Sequence, residues 1–465
     1  MAVAIGLGLF DGLLALGMVT LSRRPTDPLF LFFVVFAMFY GLRAVLVGTG
    51  LDSLNPDYLF VTSDQTQLVA AALFHMDLFL ASFIGAAWFA TRSKSATGGV
   101  LFMSQRPAQL LMNRAVASLT VLTLLKTASL VFTYGGIGTF MAAAKLDKAL
   151  AGQYVLKLPA MLGSFISAAA VIDALQTGPP KRRRMALLLA CTAFNALCVF
   201  AWGQRSVVVV VMAMLILGAV AGRDAPQLSK GRIIGRVLLA GVIVITASFC
   251  LRVVRDITIH DDGPGTDFAS STTWRQLSVS VNGVYFDASA LAFRDWPSLY
   301  SYRGGQDFID GGSGTVPRVL NPDKPEPLVG RAFRQVYEPE VANGWPVGTP
   351  TIWYLNFGLP GVIFGGMLSG ALVGFVSRRC WAAPASGINV AVSIIVSIYV
   401  LQLGVSSETL FRLVLWLGPL APVLWILRSS DRQRPDRRSD AGNMSASRRK
   451  ASVSASRAQH RADSP

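Results

Sequence analysis

Arginine is costly inside a lipid bilayer, at roughly 2.5–3.5 kcal/mol per residue on insertion scales, so each one in an apolar stretch needs a partner or a ligand. Three stand in or beside such stretches here: Arg43, Arg412, and Arg205 in the short turn Gly203-Gln204-Arg205-Ser206. Three more, Arg303, Arg318 and Arg331, lie in one long polar segment. A guanidinium stays charged in low dielectric and grips phosphate with two parallel N–H donors. Cations of this kind gathered at one membrane face therefore suit a phosphate-bearing ligand. Snorkelling, or pairing with acids such as Glu408, is the alternative reading for Arg43 and Arg412. Lys126 is a further charge in the middle of an apolar stretch.

A base for proton transfer has several candidates. His260 is followed by Asp261 and Asp262 and titrates near neutral pH. Asp287 and Asp307 belong to a scatter of acids that also includes Asp295, Asp310, Asp323 and Glu338, and no spacing singles out a pair. The cysteines Cys191, Cys198, Cys250 and Cys380 have no ligand spacing, and no His/Cys/Asp cluster suits a metal, so neither metal nor cofactor is expected. No Gly-rich phosphate loop opens a helix, which argues against a nucleotide. The polar segment's aromatics, among them Trp274, Trp296, Tyr302 and Trp345, suit either sugar faces or interfacial anchoring.

The elements that must position these groups are apolar helices. Of 465 residues 52% are hydrophobic and 15% charged, where a soluble domain carries about a quarter charged. Solidly apolar runs of bilayer-spanning length recur, which excludes the alternating pattern of a barrel. The fold expected is an all-α integral membrane protein with about eleven spans: 2–21, 28–48, 67–90, 115–133, 156–175, 185–202, 206–221, 233–251, 350–376, 387–404 and 409–427. Residues 1–251 then hold eight spans, 252–348 form one large extracytoplasmic loop, 349–428 hold three spans, and 429–465 are a disordered basic cytoplasmic tail able to touch anionic lipid. The first span lacks a positive n-region and reads as a retained helix. An outside N-terminus places Lys181-Arg182-Arg183-Arg184 and the tail in the cytoplasm, as the positive-inside rule asks. The net charge of +16 follows from this bias and is no sign of nucleic acid. Within the loop, Trp274, Leu277, Val281, Val284, Ala288, Leu291 and Ala292 form a helical stripe, with Arg275, Asn282 and Asp287 off it. That helix would lie on the membrane or across the mouth of the spans.

Three strings carry a resemblance. Tyr302-Arg303-Gly304-Gly305-Gln306, then Thr315-Val316-Pro317-Arg318-Val319-Leu320-Asn321-Pro322-Asp323-Lys324-Pro325, then Pro350-Thr351-Ile352-Trp353-Tyr354-Leu355-Asn356-Phe357-Gly358-Leu359-Pro360-Gly361 resemble the Wzy-type O-antigen and oligosaccharide repeat-unit polymerases. That family carries a P-R-hydrophobic…P-x-K-P segment in a large outer loop, and an N-F-G-x-x-G start to the next span. The turn Trp202-Gly203-Gln204-Arg205 is similar to its Gly-x-Arg between two spans. The resemblance implies a GT-C-like glycosyltransferase of the bacterial plasma membrane, with polyprenyl-pyrophosphate-linked oligosaccharide as donor and a chain-length regulator as a possible protein partner. On that mapping Arg205, Arg303 and Arg318 hold the donor pyrophosphate with Lys324 beside them, and Arg43 and Arg412 extend the cationic face. An O-antigen ligase would use the same arginines with another acceptor. A flippase of lipid-linked sugars would instead want charges along a path to the other side, whereas these crowd one face.

Overall fold

The computed structural model describes residues 1–22, 27–54, 65–92, 109–146, 154–177, 182–202, 205–220, 284–314, 316, 329–340, 344–382, 386–397, 404–407, 409 and 418–427. Among them the chain is helical, with no strand. Seven of the described helices are long and apolar enough to cross a bilayer: Ala2–Leu21, Pro28–Gly48, Gln65–Arg92, Gln109–Thr133, Lys157–Thr177, Arg182–Ala201 and Thr349–Trp381. These coincide with seven of the eleven expected spans. Expected spans 206–221 and 409–427 appear as the shorter apolar helices Val207–Ile216 and Gly418–Leu427. Span 387–404 is described only through residue 397, and span 233–251 lies outside the described residues, as does the tail.

Helices are numbered in chain order. The first three spans are α1 (Ala2–Leu21), then α2 (Pro28–Phe36) running through a π-helical turn (Ala37–Gly41) into α3 (Leu42–Gly48), then α4 (Gln65–Arg92). Asp27 starts α2 by accepting from Leu29 N at 3.0 Å, with Pro28 in the first turn. The same carboxylate accepts from Ser377 and from the Trp381 indole, so this cap also anchors the far end of a later span. Phe32 stacks on Phe83 at 3.9 Å, and Phe36 stacks on Phe79 at 6.0 Å, locking α2 to α4.

Next come α5 (Gln109–Thr133), α6 (Ile137–Leu146), α7 (Tyr154–Thr177), α8 (Arg182–Ala201) and α9 (Arg205–Val220). The polar segment contributes α10 (Val284–Asp295), α11 (Gln306–Gly314) and α12 (Val329–Gln335), and the chain returns to the bundle as α13 (Thr349–Ala382) and α14 (Gly387–Ile395). Two groups result. α1 to α4 surround α13 and α10, whereas α5, α7, α8 and α9 pack together, with α14 lying against α7, α9 and α2.

The tightest interface joins α4 to α13. Gly366, Gly370 and Gly374 repeat every four residues on α13, and a Cβ at any of them would meet the α4 backbone at Phe79 O, Phe83 O or Ala87 O. Small residues at this spacing let helix backbones touch, which replaces the missing hydrophobic drive inside lipid. The rising order of both partners shows that α4 and α13 run parallel. Following the chain through its first four spans, the starts of α1, α4, α7, α9 and α13 share one end of the bundle with the ends of α3, α5 and α8.

The loop helix departs from the sequence expectation. Its described part runs Val284–Asp295, and Asp287 is not on a solvated face but fully buried. α10 packs across α4 and α13 and beside the π-turn and α3, so both of its sides are covered. Residues 274–283 lie outside the described residues.

Candidate functional site

The site begins with a break in α13. Gly358 has φ 65° and ψ −151°, and Pro360 follows inside the helix. Proline has no N–H, so the carbonyl of Asn356 loses its helical donor, and the turn at Gly358 leaves that of Leu355 aside as well. The polar segment supplies what is missing. Arg303 N donates to Leu355 O at 2.9 Å and Gly304 N to Asn356 O at 3.1 Å. Gly305 N donates to the side-chain Oδ1 of Asn356 at 3.1 Å. Positive φ at Gly304 (59°) and Gly305 (91°) lets these three successive amides face the break.

The Asn356 amide nitrogen donates to Asp307 Oδ2 at 2.8 Å and to Ile352 O at 2.8 Å. Asp307 in turn accepts from Arg303 Nε at 2.9 Å and pairs with its Nη2 at 2.9 Å. The chain of contacts therefore runs from helix break to amide to carboxylate to guanidinium. Arg303 is left 27% exposed at its end while Asp307 is 3% exposed. Beside the guanidinium's residue, Tyr302 lies edge-on to Tyr354 and remains 38% exposed. Phe357, against Gly305, and Ile309 on α11 are also exposed. The result is a fixed cation flanked by an open aromatic ring and apolar surface. α11 is wedged on its other side, since Gly311 abuts Ser407 O and the Trp353 indole donates to Val405 O at 2.6 Å.

Arg43 and Asp287 have a different setting. The Arg43 guanidinium is fully buried and donates to Asp287 (Nε at 3.1 and 3.2 Å, Nη2 at 2.9 Å), to Asp52 at 2.5 Å and to Ser53 O at 2.7 Å. The cation's charge is compensated within the protein by two carboxylates, and both Arg43 and Asp287 are fully covered by it. This corrects the expectation for both residues. They brace α3 to α10 instead of facing a ligand, and sequence reading missed Asp52 as their partner.

A second brace holds the loop. Asp295 accepts from Arg294 Nε at 2.6 Å and from the Tyr337 phenol at 2.6 Å. Burial and that carboxylate push the Tyr337 phenol well above the usual tyrosine range, and the bond to Asp295 raises Arg294 further. Trp296, Tyr300, Phe333, Tyr337 and Trp345 pack on one another at 4.7–6.0 Å. Most of the described loop aromatics are thus the loop's own core, leaving Tyr302 as the ring with an open face beside a cation.

Arg205 opens α9 at the same end of the bundle as Arg303. Three residues earlier, Trp202 packs on Phe140 at 5.1 Å and lies 5.6 Å from the buried Lys157 ammonium. Lys157 is a second cation at that helix end, hidden from sequence reading by its place in an apolar run. His260, Arg318, Lys324 and Arg412 lie outside the described residues. Among the described residues no three His, Cys, Asp or Glu side chains converge as metal ligands would. Comparison of the chain with protein-family models, with characterised proteins and with solved structures yields no match.

Proposed function

We propose that this chain is a membrane glycosyltransferase of GT-C-like architecture with eleven spans, which polymerises polyprenyl-pyrophosphate-linked oligosaccharide units at the outer face of a bacterial plasma membrane. The observation that carries the reading is Arg303, fixed through Asp307 and Asn356 to the broken helix α13, partly open and beside exposed apolar side chains. An anionic head on a lipid tail matches that surface. The contact between the first and third resembling strings supports the reading, since Arg303-Gly304-Gly305 dock on Leu355 and Asn356.

In the proposed reaction an acceptor hydroxyl attacks the anomeric carbon of the donor sugar from the face opposite the pyrophosphate. The new C–O bond forms as the anomeric carbon–oxygen bond to phosphate breaks, which inverts the centre. The bonding pair leaves with the pyrophosphate, where Arg303, Arg205 at the same bundle end, and Arg318 with Lys324 would stabilise the growing charge. Tyr302 offers its ring to a sugar face. The hydroxyl proton passes to a base, for which His260 remains the candidate. Asp307 is a positioning residue, because its oxygens are held by Arg303 and Asn356.

The test is the product distribution in cells expressing Arg303→Ala or Arg205→Ala at wild-type membrane levels. Single repeat units in place of long polymer are expected, and Arg303→Lys should rescue poorly because the two-pronged contact is lost. Polymer of normal length in Arg303→Ala would remove the proposed site.

A further inference from the structure

Two charges inside spans have no role in the site above. Asp11 stands in the middle of α1 and Lys126 in α5, and both side chains are exposed. Neither forms an ion pair or hydrogen bond within the described protein. Beneath Asp11, and near enough for their charges to interact, lies Asp77 of α4, 9% exposed, whose Oδ1 has no hydrogen-bond partner. In hydrocarbon such groups are costly when left alone.

The surfaces around them are equally incomplete. α1 and α5 are the least covered spans, with 22% and 11% of their apolar stretches buried, against 33–72% for the other five. The open face of α1 carries Ala4, Gly8, Asp11, Gly12 and Ala15, and a Cβ at Gly8 or Gly12 would meet nothing within 4 Å. The open face of α5 carries Ser118, Leu122, Lys126, Ser129 and Thr133.

Depth matches as well as sign. The start of α1 and the end of α5 share one end of the bundle. Asp11 is about 14 Å below that start and Lys126 about 10 Å below that end, at 1.5 Å per residue. The few ångströms between them fall within the reach of a lysine side chain. α1 packs on α4 and the α2–α3 span, whereas α5 packs on α7 and α8, so the two charged faces lie on separate groups of helices.

We infer that copies of this chain associate in the membrane by seating α5 of one copy in the small-residue groove of α1 of the next, with Lys126 paired to Asp11. The helices meet antiparallel while both copies keep one orientation in the bilayer. Such a contact uses different surfaces on the two copies, so it builds a ring if the rotation closes and a row if it does not. The approach over Gly8 and Gly12 is close, and the lysine meets the exposed Asp11 carboxylate.

Charge exchange between separately tagged full-length copies tests this. Asp11→Lys alone and Lys126→Asp alone should each cease to co-purify with a second copy of itself from native-lipid particles, by at least about fivefold. The two variants expressed together should co-purify again, because each then offers the other a matched pair at every contact. Asp11→Asn and Lys126→Met, which avoid new charges in lipid, should each weaken co-purification in the same way. Cysteines placed at 11 and 126 on differently tagged copies should form a disulfide of mixed-tag size. A monomeric wild type, unchanged self-association in the single variants, or the absence of a mixed-tag disulfide would each overturn the inference.

Discussion

Asn356→Ala is the substitution that most directly probes the broken helix. It removes one acceptor and one donor whose partners stay where they are: Gly305 N loses Oδ1 at 3.1 Å, and Asp307 Oδ2 loses Nδ2 at 2.8 Å. A buried group left unpaired costs about 1–3 kcal/mol, more when charged, so docking of the 303–307 segment should weaken by about 3–5 kcal/mol. At 1.4 kcal/mol per tenfold, the opened state gains two orders of magnitude or more. Hydrogen exchange followed by mass spectrometry on the purified protein reads this directly. Peptides covering residues 302–314 should exchange about a hundredfold faster, while those from the 366–374 half of α13 stay unchanged. Asn356→Asp should be at least as harmful, since it sets two carboxylates face to face, and should recover as pH falls and one is protonated. Unchanged protection at 302–314 in Asn356→Ala would refute the view that this amide holds Arg303 in place.

Gly358→Ala should lower thermal stability, because the observed backbone angles cost a non-glycine residue about 1–3 kcal/mol, and a Cβ would also press on the Tyr302 ring at 2.9 Å. Arg43→Met should destabilise by about 3–5 kcal/mol through two stranded carboxylates, and Arg43→Met with Asp287→Leu should cost less than the two single changes added, measured by denaturant or thermal unfolding. The Tyr337 phenol has its pKa raised by burial and Asp295, so folding holds its proton more tightly than the unfolded chain does. That contribution is fully present below the ordinary tyrosine pKa of about 10 and declines as pH rises above it. Tyr337→Phe should therefore lose about 1 kcal/mol at neutral pH and show a flatter decline between pH 10 and 12.

Much of the bundle was legible because apolar length is a strong signal: seven spans fall where the runs of Leu, Val, Phe and Ala placed them. The site was legible only in part. Asn356, Gly358 and Pro360 lie together in residues 350–361, yet nothing in that stretch says that a segment fifty residues earlier repairs the helix they break. Arg43 was visible as a buried charge, but its partners Asp52 and Asp287 lie 9 and 244 residues away, and pairing over such separations leaves no local pattern. Asp287 was placed off the apolar stripe because that helix was assigned one buried face, whereas α10 is covered on both sides by α3, α4 and α13. The glycine ladder at 366, 370 and 374 could have been found from its four-residue spacing alone.

That ladder also divides α13 mechanically. From Gly366 to Gly374 the backbone is in contact with α4 and has no room to slide or turn. The first two turns, Thr349 to Phe357, meet this rod at the bend at Gly358 and through Trp353, which packs against Gly361, Gly365 and Phe364. Any bending of α13 would concentrate at Gly358, above the ladder. Those first turns cannot move without carrying Arg303, because the loop amides are bonded to their last carbonyls. Displacing the start of α13 and displacing Arg303 are therefore one event.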